Sequence, residues 1–340
     1  MPIDRRSARA LYLQLADIIR SDIENGVLLP GDRLMSESEM VKRYGVARLT
    51  VRESLSLLVS EGLVEKHHGK GSFVRSDAPK RKIDVLLDIS DHYFIPYYLK
   101  GICSVFEREN ATLITKDTKN SHTEIARQLR TVAERGSDGI ILQGCPYTDF
   151  DREEFDEILS LLKKKNIPIM LIDYNYGYRD VPSAVMDEYL VGRLAAECAE
   201  RHSHTKAIAV SVCSNYESVT RCEGFCSVIS DCEIINAEPG LDSLISAVER
   251  TGATVIFCFS DSYAGRCADI LETAGYKIPS DISLISVDDT VLARAYNITS
   301  VAHPKERLAE YAASEILSPM PHKTKVFIPA ITERASVKKL

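Results

Sequence analysis

The stretch Gly62-Leu63-Val64-Glu65-Lys66-His67-His68-Gly69-Lys70-Gly71-Ser72-Phe73-Val74 contains two short β-prone runs on either side of a basic, glycine-rich turn. It follows directly on a series of short helical patterns. Three helices and then a basic hairpin are the parts of a winged helix-turn-helix, which places one helix in a DNA groove and a loop beside it. The order therefore predicts a DNA-binding domain at the start of a longer chain.

The helical patterns before the hairpin have recognisable ends. Residues 11–23 repeat apolar side chains on one helical face. A second helix is expected over 36–44, because Ser36 and Glu39 have the spacing of a capping box, in which each side chain binds the other residue's backbone amide. The third is expected over 47–60.

The candidate DNA contacts lie at the start of the third helix and in the turn. Arg48, Thr50 and Arg52 cluster in the first turns of that helix, and an arginine there can make two parallel hydrogen bonds to a guanine edge. In the turn, Lys70 and a histidine can reach phosphates or the minor groove, because the glycines allow the backbone to approach DNA closely. We predict that double-stranded DNA is one partner of this chain.

The charge distribution separates a basic N-terminal part from an acidic remainder, as expected if only the first part binds DNA. Residues 1–82 hold 15 Lys and Arg against 11 Asp and Glu, a balance of +4, and the remainder holds 27 against 38, a balance of −11.

The chain of 340 residues is too long for one ordinary core. It has no membrane-length apolar run and no leader pattern at its start, so a cytoplasmic location is expected. Its nine cysteines form no CxxC pair, so we expect neither disulfides nor a metal site.

Residues 10–75 resemble the GntR family of bacterial repressors. The resemblance is carried by six motifs: Tyr12-x-Gln14, Leu29-Pro30-Gly31-Asp32-Arg33-Leu34, Ser36-Glu37, Thr50-Val51-Arg52, Glu61-Gly62-Leu63-Val64 and Gly69-Lys70-Gly71-Ser72-Phe73-Val74. It implies that Arg48, Thr50, Arg52, His68 and Gly69 fall where that family touches DNA.

The rest of the chain alternates apolar runs of strand length with helical patterns. The expected strands lie at 83–89, 111–115, 139–142, 167–172, 207–212, 253–258 and 282–287. Such alternation indicates parallel sheets covered on both faces, and two sheets with a cleft between them fit better than one very large sheet. We therefore divide the α/β chain into residues 1–76, a linker at 77–82, and a two-lobed domain at 83–340. No G-x-G-x-x-G or Walker sequence opens a helix, so no nucleotide cofactor is expected.

Polar and aromatic side chains follow several of these strands. They are Asp91, His92, Tyr93 and Phe94, then Gln143, Asp173 and Tyr174, then Ser260 and Asp261, and finally Asp288 and Asp289. Ligands of parallel sheets bind at the carboxyl ends of strands, where carboxylates can bind hydroxyl groups and rings can stack on sugar faces. We expect a cleft that binds a small polyhydroxylated molecule.

Residues 83–335 also resemble a known group, the effector domain of the LacI family, which is related to periplasmic sugar-binding proteins. The motifs are Asn166-Ile167-Pro168-x3-Ile172-Asp173, Gly192-Arg193-Leu194-Ala195-Ala196-Glu197, Arg221-x2-Gly224-Phe225, Gly275-x2-Ile278-Pro279-x-Asp281-Ile282-Ser283, Val287-Asp288-Asp289-Thr290 and Thr299-Ser300-Val301-Ala302-His303-Pro304. The resemblance implies an effector site formed by Phe94, Asp173, Glu217, Arg221, Ser260, Asp288 and His303. Ser260 stands where that family usually has Asn.

The hypothesis is a transcriptional repressor of carbohydrate-utilisation genes, controlled by a small sugar and acting as a homodimer or a pair of dimers. Two alternatives stay open: a GntR-type regulator that senses an organic acid or a nucleobase, and a sugar-binding protein with no role on DNA. An enzyme would need Asp173 and Asp288 as a glycosidase pair, or Cys145 or Cys213 as a nucleophile. No catalytic motif marks either possibility, so we expect no enzymatic activity.

Overall fold

A computed structural model describes residues 3, 9–67, 70–75, 80–89, 94–147, 150–238, 240–318 and 322–340 of the chain. Contacts divide the chain into two compact units, Met1–Arg81 and Lys82–Leu340. The predicted boundaries at 76 and 83 stay predictions, and linker residues 77–79 lie outside the described ranges. Within those ranges, no helix is both long enough and apolar enough to cross a bilayer.

The first unit has the predicted order of three helices and a hairpin. Its elements are α1 (Leu11–Glu24), α2 (Glu37–Tyr44), α3 (Arg48–Ser60), β1 (Val64–His67) and β2 (Gly71–Val74). The capping box is confirmed: Glu39 N donates to Ser36 Oγ, and Ser36 N donates to a Glu39 carboxylate oxygen at 2.7 Å. Gly45 ends α2 at a φ of 64°, a left-handed conformation that glycine adopts without strain.

One apolar core holds the first unit together. The two strands pair antiparallel, with Val64 opposite Val74. These valines pack with the inward faces of the three helices, which include the fully buried Leu15, Val51 and Leu58. The helical periodicity of the sequence therefore fixes which side of α3 is buried, and it leaves Arg48 and Arg52 on the exposed side.

The second unit contains two lobes, each with a six-stranded sheet. The first lobe comprises β3 (Lys82–Leu87), α4 (Ile95–Arg108), β4 (Thr112–Asp117), α5 (His122–Arg135), β5 (Gly139–Gln143), α6 (Arg152–Lys164), β6 (Ile169–Asp173) and β7 (Ser183–Met186). The second comprises α7 (Glu188–Arg201), β8 (Lys206–Ser211), α8 (Tyr216–Cys226), β9 (Asp231–Asn236), α9 (Leu244–Thr251), β10 (Val255–Cys258), α10 (Asp261–Thr273), β11 (Ser283–Asp288), α11 (Val291–Ala295) and β12 (Thr299–Ala302).

The last part of the chain returns to both lobes. Helix α12 (Lys305–Leu317) packs against α4 and strands of the first lobe. The short β13 (Lys325–Phe327) pairs with β7, and β14 (Ala330–Thr332) pairs with β12. The chain thus passes between the lobes three times, after β7, after β12 and after β13.

The strand orders are β13-β7-β6-β5-β3-β4 in the first lobe and β14-β12-β11-β10-β8-β9 in the second. All pairings are parallel except that of β12 with β14. Apolar clusters cover both faces of each sheet. The predicted fold class, a winged helix-turn-helix followed by two lobes of parallel strands, is confirmed.

Candidate functional site

The exposed start of α3 carries two of the predicted DNA contacts. Arg48 and Arg52 have 64% and 59% of their side chains exposed. Both donate through Nε to the same oxygen, Oε2 of Glu37 in α2, at 3.0 and 3.1 Å. These hydrogen bonds, led by that from Arg48, lower the pKa of Glu37. Glu37 therefore holds both guanidinium groups on one side of α3.

The remaining predicted contacts lie on α3 and in the hairpin turn. Thr50 lies half-buried between the arginines in sequence, and Lys70 is exposed in the hairpin turn, where its amide donates to the carbonyl of His67 at 3.0 Å. His68 and Gly69 lie outside the described residues. Glu37 is a functional candidate that the sequence reasoning missed, although an acidic residue beside a predicted base-reading helix was a usable signal.

The second unit contains a cavity of about 270 Å³ lined by residues from both lobes. All seven residues predicted to face an effector line it: Phe94, Asp173, Glu217, Arg221, Ser260, Asp288 and His303. Gln143 and Asp261 line it as well, whereas the strand-end candidates Asp91, His92 and Tyr93 lie outside the described residues. That these residues bind an effector stays a prediction.

Two aspartates at strand ends have an unusual backbone. Asp173 ends β6 with a φ of 72°, and Asp288 ends β11 with a φ of 110°. Positive φ is rare for residues with a side chain, and it persists only where the surroundings enforce it. Both residues line the cavity, at the edge of each sheet where ligands of parallel sheets bind.

Asp173 contacts a histidine in the segment of chain that crosses between the lobes. Its Oδ1 lies 3.1 Å from Nε2 of His303, which follows β12. Burial alone would raise the pKa of Asp173, but His303 and a hydrogen bond from Tyr98 lower it to about 2. The ring of His303 meets the ring of Phe94 edge-on, at a centroid distance of 6.0 Å.

Arg221 is the centre of a buried charge network. Its Nε donates to Glu188 Oε2 at 2.5 Å and its Nη1 donates to the carbonyl of Phe259 at 2.9 Å. It also lies 3.8 Å from Asp288 Oδ1 and 3.9 Å from Glu217 Oε2. Burial opposes its charge, but the three carboxylates raise its pKa. One guanidinium therefore lies within 4 Å of three acidic side chains.

Asp288 has a second cationic neighbour, Lys305, at the start of α12. Lys305 Nζ donates to the carbonyl of Asp288 at 2.8 Å and lies 4.0 Å from its Oδ1. Burial nevertheless raises the pKa of Asp288 to about 7, against the pull of Lys305 and Arg221. Among the described residues, Asp288 Oδ1 has no hydrogen-bond donor. A buried acceptor without a donor is costly, and a ligand hydroxyl would satisfy it.

Ser260 and Asp261 have structural bonds in addition to their places at the cavity. Ser260 caps α10 by accepting from Tyr263 N. Asp261 accepts from Ser286, from Ser300, and twice from Thr290, at distances from 2.5 to 2.9 Å. Its carboxylate is therefore satisfied by neutral donors and connects the start of α10 with β11, β12 and the start of α11.

Glu188 and Lys305 complete the network, and the sequence reasoning did not find them. Glu188 looked like an ordinary acidic residue in the first turn of a helix, which is where solvated glutamates are common. Lys305 did carry a signal. A lysine at the first position of a helix interacts unfavourably with the helix dipole, and a nearby acidic partner would offset that interaction.

Cys198, His202 and Glu333 also approach one another, with potential ligand atoms within 4.8 Å. Glu333 is bound by Arg201 at 2.6 Å, and a ring nitrogen of His202 contacts the carbonyl of Cys198 at 2.9 Å. Burial raises the pKa of the Cys198 thiol to about 11. These partners and the retained proton disfavour metal binding, so we assign none.

Comparison with known proteins gives each unit a relative. Residues 11–74 match the profile of bacterial regulatory proteins of the gntR family, and residues 192–337 match that of a periplasmic binding protein-like domain. The chain therefore combines a gntR-type helix-turn-helix with a periplasmic-binding-protein-like domain.

Two curated relatives align with nearly the whole chain. The arabinose metabolism transcriptional repressor of Geobacillus stearothermophilus is 26% identical over 336 residues, covering 90% of each chain. That of Halalkalibacterium halodurans is 25% identical over 327 residues, covering 88% of this chain and 86% of the relative. Among solved structures, a LacI family regulator from Enterococcus faecalis with bound ribose has a TM-score of 0.66 and 24% identity, covering 76% of this chain and all of its own.

Proposed function

We propose that this chain is a transcriptional repressor whose affinity for operator DNA is controlled by a small sugar or related polyol. The observation that carries the proposal is the presence in one chain of an exposed pair of arginines at the start of α3 and a separate cavity lined by buried acceptors. Relatives that align with nearly the whole length are transcriptional repressors of arabinose metabolism.

The first unit would bind the duplex. The start of α3 would enter the major groove, where the Nη atoms of Arg48 and Arg52 can bind the O6 and N7 of guanine while Nε stays with Glu37. Lys70 would contact a phosphate from the hairpin. We infer that the protein works as a homodimer on an inverted repeat, because single winged helices read only a short half-site. A regulator of this kind acts where the DNA is, which in a bacterium is the cytoplasm.

The second unit would bind the effector. Carboxylates and aromatic rings around a cavity of about 270 Å³ suit a molecule the size of a monosaccharide. The cavity is lined from both lobes, so a ligand bound there contacts Asp173 of the first lobe and Asp288 of the second. Such a ligand favours the arrangement of lobes that it binds more tightly, with a coupling of typically about 1–3 kcal/mol. We propose that it weakens DNA binding.

The test uses the full-length protein and no assumed operator. Repeated selection from random duplex DNA identifies the preferred sequence, and fluorescence anisotropy then measures its affinity with and without each of a panel of aldoses. We expect two inverted half-sites, a steep loss of affinity with salt, and a further loss with at least one aldose. Enrichment of no sequence would refute the DNA-binding function. An operator affinity that no member of the panel changes would refute control by a sugar.

A further inference from the structure

The cavity of the second unit is lined by many acids and few bases. Six carboxylates line it: Asp88, Asp173, Glu217, Glu238, Asp261 and Asp288. Among the lining residues that the structure describes, Arg221 is the one with a permanent positive charge, and His303 is the one other basic side chain. Burial lowers the pKa of His303, so this side chain resists taking up a positive charge.

The cationic side chains at and behind the cavity already have partners within the protein. Arg221 gives its Nε to Glu188 and its Nη1 to the carbonyl of Phe259. Lys305, behind the cavity, donates to the main chain of Asp288 and lies 4.6 Å from the centre of the Phe94 ring. An anionic ligand that reached the remaining nitrogen of Arg221, Nη2, would also meet Glu217, whose Oε2 lies 3.9 Å from that atom.

Glu217 is half-buried, and of the three acids around Arg221 it lies farthest from the guanidinium. Its one ion pair within the described residues is with Arg221, at 3.9 Å, a distance too long for a hydrogen bond. Burial, and then the neighbouring carboxylates of Asp173 and Glu188, raise the pKa of Glu217. The neighbouring carboxylates therefore oppose any further negative charge beside this side chain.

We propose that this cavity selects its ligand by charge: it accepts a polyhydroxylated molecule that is neutral or carries an ammonium group, and it excludes carboxylate and phosphate derivatives. Glu217 is the side chain that favours the ammonium form. The proposal rests on the proposed function and specifies the chemical class of the effector.

The donor and acceptor chemistry leads to the same class. An ionised carboxylate only accepts hydrogen bonds, so a lining rich in them suits a ligand rich in donors. The pKa values of Glu217 and Asp288 are raised, and a positive charge on the ligand would favour the ionised form of both groups. Hydroxyl and ammonium groups donate, whereas carboxylate and phosphate groups accept. A unit charge about 4 Å from another at a partly buried site changes the affinity of a ligand by about tenfold or more, which is enough to decide between otherwise identical sugars.

The experiment compares matched ligands on the full-length protein. Thermal shift and calorimetry are run with arabinose, ribose, glucose and galactose, and with the amino, acid and phosphate derivatives of each sugar. Within any series that binds, we expect the amino sugar to bind at least as tightly as the parent and the anions to bind at least about tenfold more weakly.

The same series is then measured on Glu217→Gln, with Glu249→Gln, an exposed glutamate on α9 of the same lobe, as the matched control. Glu217→Gln should reduce the preference for the amino sugar over its parent by about tenfold, and the control should leave it unchanged. If Glu217→Gln does not fold, the wild-type series alone tests whether the cavity selects its ligand by charge.

Two results would overturn the proposal: an acid or phosphate that binds as tightly as its parent sugar, or an amino-sugar preference that survives in a folded Glu217→Gln. Either result leaves a ligand-controlled repressor intact. If no ligand of any series binds, control by a sugar is refuted, and so is the proposed selection of the ligand by charge.

Discussion

Glu37 in α2 accepts a hydrogen bond from Arg52 in α3, with 3.1 Å between its Oε2 and the arginine Nε. Both side chains are partly exposed, so the pair contributes little to stability, typically about 0–1 kcal/mol. Its effect is on geometry, because the same oxygen also binds Arg48. One carboxylate therefore sets the direction of two guanidinium groups on the surface proposed to face DNA.

Replacing Arg52 should damage DNA binding directly. Arg52→Ala removes the guanidinium and leaves the apolar core of the first unit unchanged. We expect operator affinity to fall by about 1–3 kcal/mol and base preference to relax at one position of each half-site. Anisotropy with the selected operator and its single-base variants measures both effects. Unchanged affinity and unchanged preference would remove Arg52 from the set of base contacts.

Replacing Glu37 should separate affinity from specificity. Glu37→Gln removes a negative charge from the proposed DNA surface and weakens the hold on both arginines. Binding to random duplex should strengthen, because phosphates no longer face this carboxylate, whereas the ratio of operator to random affinity should fall. Salt titrations on both duplexes give the comparison. A ratio equal to that of the wild type would show that Glu37 does not orient the arginines.

The Asp288 carboxylate should be required for the effector response. Asp288→Asn keeps a buried Oδ1 but removes the negative charge that the carboxylate carries when it is ionised, so a ligand hydroxyl that donates to this atom gains less. We expect operator affinity without effector to stay within about twofold of the wild type, and the response to effector to be lost. Asp242→Asn, an exposed change in the same lobe, is the control. A response at wild-type effector concentration would mean that the cavity has been assigned wrongly.

The raised pKa of Asp288 also predicts how the stability of Asp288→Asn, relative to the wild type, changes with pH. Burial raises the pKa of Asp288 from 3.8 to about 7 in the folded chain, so the folded state binds this proton more tightly than the unfolded state does. The stabilising contribution of a raised pKa is present below the unfolded value and is lost as the pH rises through the folded value. Relative to the wild type, Asp288→Asn should therefore become more stable between about pH 4 and pH 7 and level off above that. Urea unfolding across this range measures it; a pH-independent difference would contradict the raised pKa.

Local patterns in the sequence predict most of the elements that form the two proposed surfaces. Periodicity and the Ser36 cap place α2 and α3, and the apolar runs place the strands whose ends carry Asp173 and Asp288. Strand β9 gave no clear pattern, because it is an edge strand and alternates poorly between buried and exposed residues.

The partners made at long range could not be predicted in this way. Lys305 reaches Asp288 because α12 returns from the second lobe to the first, and no local pattern encodes that crossing. Glu188 meets Arg221 across 33 residues of chain. Pairing of this kind depends on how the helices pack, and the packing depends on small residues whose role the sequence alone does not reveal.

Gly192 is such a residue, and its replacement should separate two helices. A Cβ at Gly192 on α7 would lie 1.8 Å from the carbonyl oxygen of Arg221 on α8 and 2.7 Å from the amide nitrogen of Phe225. Both atoms belong to the main chain, so α8 itself must move. The ion pair of Glu188 with Arg221 bridges the same two helices and should loosen with them. We expect Gly192→Ala to lower the free energy of unfolding by at least about 1–3 kcal/mol and to weaken effector binding.

Gly265→Ala is the matched control, because Gly265 also lies inside a helix of this lobe. A Cβ there meets a side-chain atom of Tyr296 at 3.4 Å, an ordinary contact. Alanine is favoured over glycine inside a helix by about 0.5–1 kcal/mol, so this variant should match or exceed the wild type in stability. Denaturant unfolding and calorimetry on the two variants compare packing and binding together. Equal stability of the two would show that α7 and α8 are not held at this close distance, and that the Arg221 network does not depend on it.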